Sequence, residues 1–228
     1  MVTENGWSNS RTAMSWIDSL RYADWNLAGG ICLCAYVLGC FTSGYYLVRW
    51  FAGKDIREIG SGSVGARNVS RVLGKTGFFF TVLFDISKGA FVVWAARHFT
   101  SDPRLIILAM IAVVAGHIWP VQLRFHGGKG MATSLGSLWV FDWRLALTFT
   151  ILFVCVGVLL RRTVLPSLFA LGCVPFVAMW LDHAQAKLIL LSIWAGLVLI
   201  AHRKNMMEEF SQLVPRHDDR TEADQPPL

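Results

Sequence analysis

The sequence predicts an all-α, polytopic membrane bundle of about seven transmembrane helices, N-terminus outside and C-terminus cytoplasmic. Two compositional observations and one of charge placement predict it. Of the 228 residues, 54% are hydrophobic and only 16% charged, whereas soluble domains carry roughly a quarter charged residues. The mean hydropathy is +0.49, and the apolar residues gather into long blocks. Lysine and arginine are divided unequally between alternate connections. There is no internal repeat, so one membrane domain is expected over 25–210. An N-terminal interfacial segment, 1–24, precedes it, and a polar, disordered cytoplasmic tail, 211–228, follows.

Within the first segment, Ala13, Trp16, Ile17, Leu20 and Ala23 recur at helical spacing over 11–24. Such a helix lies in the headgroup layer or faces solvent. Residues 1–24 hold no apolar run of a signal peptide. Seven apolar segments follow: Leu27–Val48, Gly77–Ala96, Leu105–Trp119, Met131–Phe141, Leu145–Leu160, Leu165–Leu181 and Leu188–Ala201. Trp25 and Trp50 flank the first, where interfacial aromatics belong. Several fall short of the roughly 20 residues that cross a bilayer comfortably. The fourth is a half-span unless its helix begins inside the glycine loop before it.

The first connection holds Arg49, Lys54, Arg57, Arg67, Arg71 and Lys75, and the third, fifth and C-terminal connections add more. This places the odd-numbered connections and the C-terminus in the cytoplasm. With seven crossings, all the polar motifs below meet one face. The five cysteines, Cys32, Cys34, Cys40, Cys155 and Cys173, lie in apolar blocks as small hydrophobes, with neither zinc-ligand spacing nor a disulfide framework. No metal, cofactor or nucleic-acid partner is expected.

Four stretches carry chemistry. Gly60-Ser61-Gly62-Ser63-Val64-Gly65 leads to Asn68 and Arg71. It spells G-x-G-x-x-G without the strand context of a dinucleotide fold. Flexible backbone, two hydroxyls and basic residues suit an anion cradle, or a positive-inside loop with turn glycines. Asp85 and Lys88 share a helix face deep in the second segment, as a structural ion pair or as lining of a site. His117 ends the third segment, as a base, a phosphate donor or an interfacial histidine. Phe125-His126-Gly127-Gly128-Lys129-Gly130-Met131-Ala132-Thr133 wraps one lysine in three glycines, with loop amides and an ammonium to receive phosphate. His202 and Asn205 close the last segment, three residues apart and able to face one cavity.

These residues resemble the bacterial glycerol-3-phosphate acyltransferases that use acyl phosphate as donor. The similarity runs from about Tyr36 to Asn205. The family's signatures look like Gly53–Gly62 with Gly65, Ala66, Asn68 and Arg71; then Asp85, Lys88 and Gly89; then His117, Pro120 and Phe125–Thr133; then His202, Arg203 and Asn205. The resemblance implies an inner-membrane enzyme that moves a fatty acyl group from acyl phosphate to the sn-1 hydroxyl of glycerol 3-phosphate, giving lysophosphatidate. The substrate-binding residues it carries over are Ser61, Arg71, Lys129, His202 and Asn205. Lys129 and the glycine-loop amides are expected on one phosphate, and Arg71 with the Gly60–Gly65 loop on the other. His202 is the expected base, oriented by Asn205, unless the donor phosphate takes the proton.

The chain also departs from the family. Ser63 stands for the usual Asn, and Arg67 for Thr. Arg161-Arg162-Thr163-Val164 replaces an Arg-Tyr-x-Ser element, and Cys40-Phe41-Thr42-Ser43-Gly44 a Ser-Ile-Pro-x-Gly. No histidine has aspartate five residues on, the pattern of acyl-CoA-dependent glycerolipid acyltransferases. A transporter of organic phosphates or anionic lipids, or an inactive ligand-binding paralogue, are the alternatives. The absence of paired halves weighs against transport.

Overall fold

The structure is a computed structural model that describes residues 24–211. The helix expected over 11–24 and the tail lie outside the described residues, apart from Asp24 and Ser211. Every apolar block forms helix, and no strand occurs among the described residues. In order these are α1 (Trp25–Cys40), α2 (Ser43–Ala52), a 3-10 turn at Ile56–Glu58, α3 (Ala66–Phe99), α4 (Pro103–Ile118), a second 3-10 turn at Val121–Leu123, α5 (Met131–Phe141), α6 (Trp143–Leu160), α7 (Val164–Asp182), α8 (Gln185–Ala201) and α9 (Arg203–Ser211). In hydrocarbon each backbone amide needs an internal partner, and a continuous apolar run meets that need as helix.

Among the described residues, five stretches are long and apolar enough to cross a membrane: Trp25–Ala52, Ala66–Phe99, Pro103–Leu123, Trp143–Leu160 and Val164–Asp182. A sixth forms if α8 is joined to α9 across a bend of 63°. α5 is apolar but only 11 residues long, about 16 Å. It starts after Gly130, so the glycine loop does not lengthen it.

The distribution of polarity is that of a multi-pass membrane protein. Leu33, Phe79, Val158, Phe176 and Trp180 are exposed on the outer surface, while Ser43, Thr81, Asp85, His117, Thr133 and Ser137 are buried inside. Helices approach closely at small residues, since lipid supplies no hydrophobic drive between them. A Cβ on Gly89 would overlap the Thr133 carbonyl, and one on Gly136 the Ile86 carbonyl. This α3–α5 crossing fixes the helix that follows the glycine loop.

Three turns start with one device. Asp55, Asp102 and Asp142 each accept the backbone N–H of the arginine two residues on and also its guanidinium, at 2.5 to 3.1 Å. The carboxylate satisfies an orphan first-turn amide. Arg57 hydrogen bonds pull the Asp55 carboxyl below its usual range.

Two boundaries differ from the sequence expectation. The first block breaks at Phe41-Thr42. The carbonyls this frees are taken by distant side chains: Lys88 Nζ donates to Phe41 O at 2.8 Å, and Gln122 Nε2 to Cys40 O. The second block starts at Ala66 rather than Gly77, because α3 runs on through the basic stretch with a kink at Gly74 (φ 63°, ψ −157°).

Candidate active site

Four connections meet at one end of the bundle, tied by bonds between residues far apart in sequence. Val64 N donates to Gly127 O at 3.5 Å, and Arg57 Nη1 to Leu123 O at 3.1 Å. Arg67 Nη2 donates to Thr163 Oγ1, and Lys129 Nζ to Asn205 Oδ1. Beneath the first loop, Val48, Ile56, Val64, Val69 and Leu123 form a small apolar core.

The first loop is shaped by Asn68, which is buried. Its Nδ2 donates to Ile56 O (3.1 Å), Ile59 O (2.7 Å) and Ser63 O (2.9 Å), and its Oδ1 accepts from Ser61 N (3.2 Å). Asn68 therefore holds the loop rather than reaching out of it. Ser63 Oγ accepts from Gly65 N at 3.3 Å, again inside the loop. Gly60 and Gly62 take positive φ of 58° and 69°, which glycine adopts without strain. Ser61 and Arg71 remain exposed. The Arg71 guanidinium lies over Gly60, where a Cβ would overlap Nη1.

The glycine loop is closed by its own backbone. Gly127 N donates to Ile118 O at 3.1 Å, and Gly128 N to His117 O at 3.0 Å. These two amides were expected to face phosphate; the structure turns them onto the end of α4. What the turn achieves is placement of Lys129. Gly130, with φ 82°, starts α5. Thr133 and Ser134 are buried in its first turn, their hydroxyls unpartnered among the described residues.

Lys129 is half-buried and donates to Asn205 across the mouth of the end cluster. Burial pulls its ammonium below its usual range; Glu208 opposes this and Arg67 adds to it. His202 is buried at the bend between α8 and α9. Its Nδ1 lies 2.9 Å from Val198 O. A carbonyl only accepts, so Nδ1 carries the proton, and Nε2 of the neutral ring bears the lone pair. The charges of Lys129 and Arg67 act on this ring.

Lys88 and His117 belong to a second polar group, inside the bundle. Lys88 Nζ lies 3.0 Å from Asp85 Oδ1 and 2.7 Å from His117 Nδ1. Ser43 Oγ donates to Asp85 Oδ1 at 3.1 Å. An ammonium has no acceptor, so His117 accepts at Nδ1 and carries its proton on Nε2. That nitrogen faces Gly128, where a Cβ would overlap it. The group packs against the glycine loop through His117, while Lys129 bonds to Asn205.

Comparison with known proteins gives this arrangement its family. A family model described as glycerol-3-phosphate acyltransferase matches residues 30–212. The chain belongs to that family. Glycerol-3-phosphate acyltransferase 1 of Desulfitobacterium hafniense (strain Y51) is 42% identical over 174 residues, covering 76% of this chain and 86% of that protein. The glycerol-3-phosphate acyltransferase of Prochlorococcus marinus is 37% identical over 188 residues, covering 81% and 91%. The crystal structure of PlsY, an integral membrane glycerol 3-phosphate acyltransferase, in its glycerol 3-phosphate form superposes with a TM-score of 0.74. It shares 29% identity and covers 81% of this chain and 92% of that one. Its lysophosphatidic acid form gives 0.72 at 27% identity.

Within this glycerol-3-phosphate acyltransferase, several contributors were not legible in sequence. Arg57 ties the first loop to Leu123 and packs its guanidinium 5.2 Å from the Tyr45 ring centroid. Its Asp55-x-Arg57 spacing, repeated at the starts of α4 and α6, was the available signal. Glu209 fixes α9 on the start of α7, accepting Leu165 N at 3.3 Å on its carboxylate; no local pattern marked it.

Proposed function

We propose that this glycerol-3-phosphate acyltransferase moves a fatty acyl group from acyl phosphate to the sn-1 hydroxyl of glycerol 3-phosphate, at the cytoplasmic face of the bacterial inner (plasma) membrane. The four converging connections meet at one end of the bundle, and the excess of lysine and arginine there supports a cytoplasmic placement. The observation that carries the reading is the joining of Lys129 to Asn205 beside the buried His202.

In the reaction the sn-1 oxygen attacks the acyl carbonyl carbon, forming a C–O bond and a tetrahedral oxyanion. The C–O bond to phosphate then breaks, releasing inorganic phosphate and lysophosphatidate. Acyl phosphate is already activated, so the protein's part is to hold two anions in line and stabilise developing charge. Lys129 grips one phosphate. Arg71, presented over Gly60 with Ser61 beside it, grips the other. Nε2 of His202 accepts the hydroxyl proton and passes it to the departing phosphate, its ring held by Nδ1–H to Val198 O, and Asn205 keeps Lys129 in reach. Gly127, Gly128, Gly130 and Thr133 place the lysine and start α5; Gly62, Ser63, Gly65 and Asn68 shape the first loop. Lys88 and His117 brace the glycine loop.

Purified protein given acyl phosphate and glycerol 3-phosphate is expected to release lysophosphatidate and phosphate, and far less of both after Lys129→Ala or His202→Ala. Full activity in both variants sinks the site assignment. Uptake of glycerol 3-phosphate into vesicles without product would indicate transport instead.

A further inference from the structure

Arg67 has no part in the family resemblance, where threonine is usual, and nothing in α3 explains it as a stabilising residue. It sits in the first turn of α3, which contains no acidic side chain. A cation there opposes the helix dipole. Arg71 lies one turn on, and like charges at i and i+4 repel. Both side chains are exposed, and no carboxylate pairs with Arg67 among the described residues. A merely solvated surface charge would be free to turn away from other cations, yet Arg67 is bonded across to Thr163 in the fifth connection, within electrostatic reach of both Lys129 and His202. Arg67 thus stands near two other cations, Arg71 on its own helix and Lys129 across the cluster.

Thr163 settles where Arg67 goes. Thr163 precedes α7 at its N-cap position, yet its side chain makes no capping bond. The α7 amide of Leu165 is taken by Glu209 instead, and the Thr163 hydroxyl oxygen accepts from Arg67 Nη2. One N–H of a five-donor guanidinium is used in this way, and the fork is fixed with donors left over.

We propose that Arg67, held by Thr163, is a further substrate-binding residue of the acyl-transfer site that takes a monosubstituted phosphate dianion together with Lys129. The inference rests on the function proposed above. The dianion is the phosphate of glycerol 3-phosphate or that of the acyl donor, and a bound dianion relieves the repulsion between Arg67 and Lys129. Thr163 is a positioning residue, acting through Arg67.

The test compares wild type with Arg67→Thr, Arg67→Lys and Thr163→Val. KM is measured for each substrate in turn, with calorimetric binding of glycerol 3-phosphate and of inorganic phosphate. Arg67→Thr is expected to raise KM for one substrate by about tenfold or more, the loss of a charge-assisted bond, with kcat little changed. The substrate affected identifies the source of the dianion. Arg67→Lys restores part of the loss, since it keeps the charge without the fork, and Thr163→Val shifts KM the same way by less. Unchanged KM for both substrates, or a fall in kcat alone, overturns the inference while leaving the acyltransferase reading intact. If wild type makes no lysophosphatidate, the acyltransferase reading fails. Phosphate binding then decides: weakening in Arg67→Thr upholds Arg67 as a phosphate ligand, and equal binding overturns it. Thermal unfolding in detergent shows that each variant is folded.

Discussion

Lys129 Nζ donates to Asn205 Oδ1, joining the glycine loop to the first turn of α9 across 76 residues. The bond anchors a long side chain whose rotamer entropy would otherwise oppose the phosphate binding proposed for it. Asn205→Ala is therefore expected to raise KM for a phosphate substrate severalfold, and Lys129→Ala by about tenfold or more. Initial rates over a range of each substrate check both.

The same lysine sets a pH dependence. Its ammonium is held below its usual range, chiefly by burial, with Arg67 adding to the shift and Glu208 opposing it. A lysine with a lowered pKa is charged only below that lowered value. The phosphate grip proposed for Lys129 is then complete at low and neutral pH and is lost as pH rises through it, earlier than for a free lysine at about 10.4. KM against pH in wild type should show this alkaline rise, and Lys129→Arg should shift it to higher pH.

His202→Gln keeps a side chain of similar reach but removes the base. If Nε2 takes the hydroxyl proton, kcat falls by about a hundredfold or more with KM little altered. Single-turnover acyl transfer measures it. An unchanged kcat assigns the proton to the leaving phosphate.

Asp85 and Lys88 are 5% and 10% exposed at their side chains and 3.0 Å apart, and Lys88 also holds the carbonyl freed where α1 ends. Removing one partner leaves a buried charge, so Lys88→Met is expected to cost about 3–5 kcal/mol. The double variant Asp85→Asn, Lys88→Met should recover part of it. Unfolding in detergent is the measure.

Gly128→Ala puts a methyl against His117 Nε2. Overpacking of this kind costs about 1–3 kcal/mol. Because the loop carries Lys129, KM for a phosphate substrate should rise along with the loss of stability. Gly172→Ala, where a Cβ meets nothing, should change neither.

The helices were legible because backbone amides in hydrocarbon must be satisfied within the apolar run itself, and even the short Met131–Phe141 agrees with its helix to the residue. The break at Phe41-Thr42 was not, since Lys88 and Gln122 make it tolerable from remote positions in sequence. In the site, the types of residue were legible and their jobs were not. Asn68 could be placed among anion ligands from its neighbours, but only its four bonds show an amide turned inward. The Gly127 and Gly128 amides read as phosphate donors until their carbonyl partners on α4 were seen.

Composition, charge placement and four short motifs determined that this chain is a membrane helix bundle with a phosphate-handling end, because lipid and phosphate each demand particular residue types locally. Tertiary structure alone decided which motif meets which. Arg67 finds Thr163 across 96 residues, and Lys129 finds Asn205, through the close crossing of α3 with α5 and the bend after α8. Hydrogen-bond direction depends on where a partner stands in space, and spacing along a chain does not record it.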